Sequence, residues 1–294
     1  MAKHFISLKN LKVDEISKLV SLAKEIKIKP TKYSVPGRKN MAIFFEKPST
    51  RTRLSAHVGC YKLGINAIAL DPKALQLGKE SIEDTAQVMS RIVDGLFARA
   101  SDKFLLEFAK YASIPVINAL SDNYHPTQIL ADLLTMQENG LKPKNVVSWI
   151  GDGNNILNSM LVTYPRMGIQ LKVACPKGYE PLPEAVELAK NSICPPIFTS
   201  PQEACKNSNF IMTDVFISMG QEAEKEKRLK IFNGYKVTQN LFKNAAEGCK
   251  FMHCLPRTPY EVSDDVFYGK QSLVYTQAEN RLHTIQAVFY QYLK

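Results

Sequence analysis

Apolar runs of strand length alternate with stretches of helical periodicity through the first part of the chain. Between the runs, apolar residues recur at spacings of three and four, which places them on one face of a helix. This order of strand, helix and strand predicts a parallel sheet with helices on both of its faces. The runs of strand length are residues 41–46, 66–70, 95–99 and 115–118.

The same alternation restarts after a joint at residues 142–144, Lys-Pro-Lys. The apolar runs of this second part begin at residues 146, 170, 210 and 250. The pattern therefore predicts an α/β protein with two doubly wound parallel-sheet domains, the first at residues 1–138 and the second at 139–279. The amphipathic stretch 280–294 predicts a terminal helix that packs back on the first domain.

Size and charge agree with such a protein and indicate the kind of ligand. A chain of 294 residues has room for two domains of ordinary size. Basic residues exceed acidic ones by 38 − 28 = 10, and a positive balance suits a small anionic substrate. Nucleic acid is not expected, because the lysines are scattered and no recognised binding motif is present. The charged run 221–230 is expected to be a solvated helix face.

Several classes of protein are disfavoured. No apolar run approaches the roughly 20 residues of a membrane span and no signal peptide is visible, so we expect a cytoplasmic protein without a membrane partner. The six cysteines form no Cys-x-x-Cys pair and the histidines are isolated, which predicts free thiols, no metal and no cofactor. The segment 151–155, Gly-Asp-Gly-Asn-Asn, departs from a dinucleotide motif, because Ile156 replaces the third glycine.

The segment 49–53, Ser-Thr-Arg-Thr-Arg, follows a buried strand and opens a helix. Ser49 suits the N-cap position, and Leu54, Val58 and Tyr61 share one face of the predicted helix. Unpaired N–H groups and the positive end of the dipole favour an anion at a helix start, and arginine matches phosphate oxygens. A capped surface helix with solvated arginines is the alternative. Two hydroxyls and two guanidiniums directly after a buried strand favour the phosphate site.

Other polar residues fall where parallel strands end. Ligands of such sheets bind beyond the carboxyl ends of the strands. Arg99 ends one predicted strand of the first domain, and His125 and Gln128 lie at a helix start after another. In the second domain, Asp214 and Cys254 stand at the ends of two further strands.

Five motifs, in order along the chain, resemble those of the ornithine branch of the aspartate/ornithine carbamoyltransferase family. The segments 49–53 and 125–128, His-Pro-Thr-Gln, are common to both branches. The segment 151–155, Asp214 with 218–220, Ser-Met-Gly, and 253–256, His-Cys-Leu-Pro, are similar to the ornithine branch. The resemblance extends from about residue 5 to the end of the chain.

This resemblance implies two sets of binding residues, with the active site in the cleft between the two domains. Carbamoyl phosphate would be held by Ser49, Thr50, Arg51, Thr52, Gln76, Arg99, His125, Gln128, Cys254, Leu255 and Arg281. Ornithine would be held by Asn155, Asp214, Ser218 and Met219. The catalytic residues among them would be Thr52, Arg99, His125 and Cys254.

The implied activity is carbamoyl transfer from carbamoyl phosphate to the δ-amine of ornithine, in arginine metabolism, by a homotrimer. Transfer to another amine such as putrescine is the alternative, although Asp214 and Asn155 suit the zwitterionic head that putrescine lacks. A non-catalytic binding subunit is disfavoured by the intact Arg51, Arg99 and His125. For Cys254, orientation of the amine, a covalent role and a buried structural thiol all stay open at this stage.

Overall fold

The computed structural model describes residues 3–73 and 79–294. Contacts between residues divide the chain into two compact units. The first unit comprises Met1–Leu134 and Glu279–Lys294, and the second comprises Thr135–Ala278. Both boundaries fall within helices. No helix of the described ranges combines the length and apolarity needed to cross a bilayer.

The first unit alternates strands and helices from its start. Its strands are β1 (Asn40–Phe45), β2 (Asn66–Leu70), β3 (Gly95–Arg99) and β4 (Val116–Leu120). Its helices are α1 (Val13–Ile28), α2 (Thr50–Leu63), α3 (Ile82–Ile92), α4 (Asp102–Tyr111) and α5 (Pro126–Glu138), whose last four residues belong to the second unit. The first unit also holds the larger part of the C-terminal helix of the chain.

The strands of the first unit pair in parallel, in the order β2-β1-β3-β4. The chain turns from one side of β1 to the other after β2, so the carboxyl ends of β1 and β3 flank the point where the strand order reverses. Ligands of open α/β sheets bind at such a point. One side of the sheet packs against α3 and α4 through apolar residues that include Phe44, Ala98, Phe104 and Phe108.

The second unit repeats the arrangement with five described strands. These are β5 (Val146–Ile150), β6 (Gln170–Ala174), β7 (Ile197–Phe198), β8 (Phe210–Thr213) and β9 (Lys250–His253). Its helices are α6 (Asn155–Leu161), α7 (Pro183–Lys190), α8 (Pro201–Cys205), α9 (Lys225–Ile231), α10 (Gln239–Phe242) and α11 (Asp264–Phe267). The terminal helix α12 (Val274–Leu293) begins in this unit.

The strands of the second unit are also parallel, in the order β7-β6-β5-β8-β9, and the strand order reverses between β5 and β8. Buried Ile150, Ile211, Phe251 and Val266 belong to its core. The predicted fold class, two parallel-sheet α/β units, is therefore confirmed.

Two residues of the predicted apolar face of α2 are exposed, and a different face of the helix is buried. Leu54 is 63% exposed and Tyr61 is 85% exposed, whereas the buried face carries small residues such as Ala56 and Gly59. Gly59 lies close to α12, where an added Cβ would come within 3.3 Å of the Gln286 side chain. Small residues on the buried face allow α12 to approach α2 closely.

Candidate active site

The turn from β1 into α2 presents a helix N-terminus at the reversal point of the first sheet. Ser49 occupies the N-cap position with extended backbone angles, but its side chain forms no capping hydrogen bond within the described part of the chain. The predicted location of the cap is correct, whereas the capping bond itself is not formed. The Ser49 side chain therefore does not cap the N–H groups of the first turn, and a helix start of this kind favours an anionic ligand.

Arg281 of α12 brings residues from three helices together. Its Nη1 donates to Gln128 Oε1 at 2.5 Å, and its Nη2 donates to Thr52 Oγ1 at 2.8 Å. Nη2 also lies 3.4 Å from the hydroxyl of Thr127, which itself donates to the carbonyl of Ala119. Because Thr52 accepts from Arg281, its own hydroxyl hydrogen can donate to a different acceptor. Thr52, Gln128 and Arg281, all predicted to hold carbamoyl phosphate, are thus in contact.

Positive charge is concentrated around His125, at the start of α5. Burial and then the charges of Arg281, Arg99 and Arg51 lower the pKa of His125 well below its ordinary value of 6.5. The imidazole is therefore neutral near pH 7. Burial and the charge of Arg51 also lower the pKa of Arg99. Three guanidiniums whose charges act on one neutral ring favour binding of an anion.

Arg99 holds the turn that carries these groups. Its Nη1 donates to the carbonyl oxygen of Pro48 at 2.8 Å. The backbone N–H of Glu46 donates in turn to the carbonyl of Arg99 at 3.0 Å. We call Arg51, Thr52, Arg99, His125, Gln128 and Arg281 the anion site. Gln76, which was also predicted to bind carbamoyl phosphate, lies outside the described residues.

In the second unit, Asn154 connects the ends of β5 and β8. Its Oδ1 accepts from the N–H groups of Ile156 and Leu157, so Asn154 is the N-cap of α6. Its Nδ2 donates to Asp214 Oδ2 at 2.8 Å, and Asp214 Oδ1 accepts from the N–H of Val215. Asn155, and not Asn154, was predicted to hold ornithine. The usable signal for Asn154 was an asparagine directly before a helix, which is typical of an N-cap.

The loop that carries Ser218 and Met219 is anchored by Arg228. Arg228 Nε donates to the carbonyl of Phe216 at 2.5 Å, and Nη2 donates to Asp152 Oδ2 at 2.5 Å. Its guanidinium also lies 4.6 Å from the ring centroid of Tyr179. The prediction of a solvated helix face for residues 221–230 is therefore wrong for Arg228, which is only 3% exposed, although most of its neighbours are exposed.

The loop after β9 is held by a buried acid. His253 Nδ1 accepts from the N–H of Leu255 at 2.9 Å, and its Nε2 faces Glu261 Oε1 at 3.2 Å. Glu261 is fully buried and also accepts from the backbone and hydroxyl of Thr258. Burial raises the pKa of Glu261, but the hydrogen bonds from His253 and Thr258 outweigh it and hold that pKa below its ordinary value. Leu255 has a φ of +60°, in the left-handed region, and its N–H bond to His253 supports this conformation.

Two of the predicted ornithine residues and the predicted thiol differ in accessibility. Asp214 is 8% exposed and Cys254 is half-buried, whereas Met219 is 50% exposed. The Asp214 carboxylate, a nitrogen of His253 and Cys254 Sγ lie within 4.8 Å of one another. These are residue types that bind metals, but both nitrogens of His253 already contact Leu255 and Glu261, so a metal would have to displace one of those contacts.

The fold and these two groups of residues define a class of protein: a two-unit α/β protein with an anion site in one unit and a carboxylate, amide and thiol together in the other. Family models match both parts of the chain. Residues 3–138 match the carbamoyl-P binding domain of aspartate/ornithine carbamoyltransferase, and residues 144–292 match its Asp/Orn binding domain. The chain belongs to the aspartate/ornithine carbamoyltransferase family.

Individual relatives cover nearly the whole chain. It is 46% identical to an ornithine carbamoyltransferase of Caldicellulosiruptor saccharolyticus, over 97% of each chain. It is 45% identical to one of Methanocorpusculum labreanum, over 98% of this chain and 97% of the relative. The solved ornithine carbamoyltransferase of Pyrococcus furiosus has a TM-score of 0.94 at 40% identity and covers 99% of this chain, which covers 97% of that one. The family resemblance seen in the sequence is therefore confirmed.

Proposed function

We propose that this protein transfers the carbamoyl group of carbamoyl phosphate to the δ-amine of L-ornithine, giving L-citrulline and phosphate. The observation that carries the proposal is the anion site, in which Arg281 is held by Thr52 and Gln128 and three guanidiniums act on a buried, neutral His125. Similarity to ornithine carbamoyltransferases over nearly the full chain supports the choice of acceptor. The first unit takes carbamoyl phosphate and the second takes ornithine.

The residues of the first unit suit the phosphoryl and carbamoyl ends of the donor. Arg51, with Ser49 and Thr50 at the start of α2, binds the phosphate and stabilises it as it leaves. Arg99, His125 and Thr52 donate to the carbamoyl oxygen, on which negative charge develops when the amine attacks. A neutral His125 is suited to this role, because one ring nitrogen carries a hydrogen at pH 7 and no proton need be transferred to it. Gln128, Arg281 and Gln76 complete the set proposed for the donor.

The residues of the second unit suit a zwitterionic amino acid. Asp214 pairs with the α-ammonium of ornithine, and Asn155 with the backbone at Ser218 and Met219 takes the α-carboxylate. Cys254 orients the δ-amine, and the backbone of Cys254 and Leu255 contributes to binding the carbamoyl group. No acyl-enzyme intermediate is needed, since a neutral amine attacks the carbamoyl carbon directly. The C–O bond to phosphate breaks, and phosphate leaves with that electron pair and takes up the proton that the attacking nitrogen loses.

The proposal extends to the oligomeric state, the cellular compartment and the pathway. We propose a homotrimer that works in cytoplasmic arginine biosynthesis. Exposed apolar side chains support an association between copies: Leu54 and Tyr61 on α2, and Val88 and Ile92 on α3, are each more than half exposed. Sedimentation equilibrium at several protein concentrations tests the assembly, and a monomeric mass throughout would contradict it.

The activity is tested by citrulline formation from carbamoyl phosphate with a panel of amines. Ornithine should be carbamoylated with a far higher kcat/KM than putrescine or aspartate, because Asp214 favours an α-ammonium and disfavours a second carboxylate. A higher kcat/KM for putrescine than for ornithine would overturn the assignment of ornithine as the acceptor. No carbamoyl transfer to any amine would overturn the activity.

A further inference from the structure

Asp132 is a buried carboxylate that the proposed chemistry does not use. It is fully buried on α5, one helical turn beyond Gln128. Its Oδ1 accepts from Gln128 Nε2 at 2.8 Å. Burying a carboxylate is costly, so a chain that places one directly behind a binding residue gains something from its contact.

Asp132 determines which way the carboxamide of Gln128 points. The Asp132 oxygen in this contact is a hydrogen-bond acceptor, and a guanidinium is only a donor. Gln128 lies between one of each, with Asp132 on one side and Arg281 on the other. Its nitrogen must therefore face Asp132 and its oxygen must face Arg281, although the two ends of a carboxamide are otherwise nearly equivalent in shape.

The orientation of Gln128 in turn fixes the guanidinium of Arg281. Gln128 Oε1 accepts from Nη1 and Thr52 Oγ1 accepts from Nη2, so the two outer nitrogens of the planar group are held by two different helices. If the carboxamide were reversed, its NH₂ group would face Nη1 and one of these two contacts would be lost.

We propose that Asp132 is a positioning residue of the anion site: it orients the Gln128 carboxamide and thereby holds the Arg281 guanidinium for carbamoyl phosphate. Asp132 acts through Gln128 and needs no contact with the substrate. This inference rests on the proposed function, because it concerns the donor side of that reaction.

Two substitutions separate the effect of Asp132 on the orientation of the Gln128 carboxamide from the effect of its side-chain volume. Asp132→Leu removes the acceptor at similar volume, and Asp132→Asn offers Gln128 both a donor and an acceptor, so that a single orientation is no longer enforced. We expect the KM for carbamoyl phosphate to rise about tenfold in the Leu variant and about threefold in the Asn variant. The KM for ornithine should stay within about twofold of wild type in both. Asp94→Asn is the matched control, since Asp94 pairs with Lys39 at the amino end of the first sheet.

A double-mutant cycle distinguishes positioning from a general effect on folding. In an Arg281→Lys background, Asp132→Leu should raise the KM for carbamoyl phosphate less than about twofold, because the guanidinium that Gln128 orients is absent. Equal effects in both backgrounds would overturn the proposal. If circular dichroism shows that the Leu variant does not fold, the Asp132→Asn variant provides the test. An unchanged KM for carbamoyl phosphate in that variant would overturn the proposal. An inactive wild type would instead refute the proposed function.

Discussion

At the scale of single residues, Asp214 has one contact that a simple loop cap would not need. It accepts from the N–H of Val215, as a capping acid does, but its other oxygen accepts from Asn154 Nδ2. Asn154 is itself fixed as the N-cap of α6. The carboxylate is therefore held in one orientation by groups of two elements, which is the arrangement expected of a preorganised binding group.

Replacing Asp214 by Asn keeps the shape and removes the charge. If Asp214 pairs with the α-ammonium, kcat/KM for ornithine should fall by a factor that corresponds to about 2–5 kcal/mol, while the KM for carbamoyl phosphate stays near its wild-type value. Steady-state kinetics with both substrates and a thermal melt make the measurement. The control is Asp264→Asn on the exposed side of α11, which should change neither parameter. Ornithine kinetics close to wild type in a folded Asp214→Asn variant would remove Asp214 from the site.

The lowered pKa of His125 predicts how stability depends on pH. The folded protein keeps this ring neutral, whereas the unfolded chain takes up a proton below about pH 6.5. The contribution of His125 to stability is thus complete above that pH and is lost as the pH falls below it. Between about pH 6.5 and 5, wild type should lose up to about 1.4 kcal/mol per pH unit more than His125→Gln, measured by urea unfolding without phosphate. Parallel curves for the two proteins would show that His125 is not the titrating group.

At the scale of elements, the turn after β5 depends on close approach of two backbone segments. Gly153 donates to the carbonyl of Tyr179 at 2.9 Å. A Cβ at this position would lie 2.3–2.5 Å from backbone atoms of Glu180 and Pro181. The Gly-Asp-Gly segment therefore serves to pack the loop after β6 against the start of α6, which explains a glycine there without a dinucleotide.

Substituting Gly153 by Ala should destabilise the second unit by about 3 kcal/mol, because neither backbone segment can move without breaking the Gly153–Tyr179 hydrogen bond. Gly248→Ala is the control: its φ is +75°, but apart from its chain neighbours no atom of the described residues lies within 4 Å of the added Cβ. It should cost only about 1 kcal/mol, from backbone strain. Urea unfolding of both variants gives the two changes in the free energy of unfolding. Equal losses of stability would argue against the steric explanation.

Arg228 controls a second element, the loop between Phe216 and α9. Its guanidinium joins the two ends of that loop to Asp152, through geometry that a lysine ammonium cannot reproduce. Arg228→Lys should therefore raise the KM for ornithine about tenfold, since Ser218 and Met219 lie in the loop, and should leave the KM for carbamoyl phosphate unchanged. The exposed neighbour Lys227→Ala should behave as wild type. An equal rise in both KM values would indicate a general loss of structure.

At the scale of the whole molecule, ligand binding should stabilise the protein through the anion site. Inorganic phosphate at about 100 times its Kd should add about 2.7 kcal/mol to the free energy of unfolding of wild type. Arg51→Ala should abolish most of this protection. Arg53→Ala should keep it, because Arg53 is exposed and its guanidinium lies 5.7 Å from the ring centroid of Phe45. Thermal melts with and without phosphate make the test, and equal protection of wild type and Arg51→Ala would place the phosphate elsewhere.

The order of the main strands could be predicted from the sequence, because buried parallel strands are continuous apolar runs that differ in length and periodicity from amphipathic helices. The runs at 41–46, 146–150 and 210–214 correspond to β1, β5 and β8 within one or two residues. The two-residue strand β7 was not predicted, since both of its residues are exposed and it has no periodicity to detect.

The sequence by itself determined the family and the residue types of the site, because the motifs after each strand are contiguous in the chain. What only the tertiary structure decided is which of those groups touch. Arg281 reaches Thr52 and Gln128 from 229 and 153 positions away in sequence. Arg228, which belongs to a charged run, pairs with Asp152, and Glu261 is buried against His253. Such contacts depend on where separate elements pack, and a local pattern carries no information about a partner that is far away in sequence.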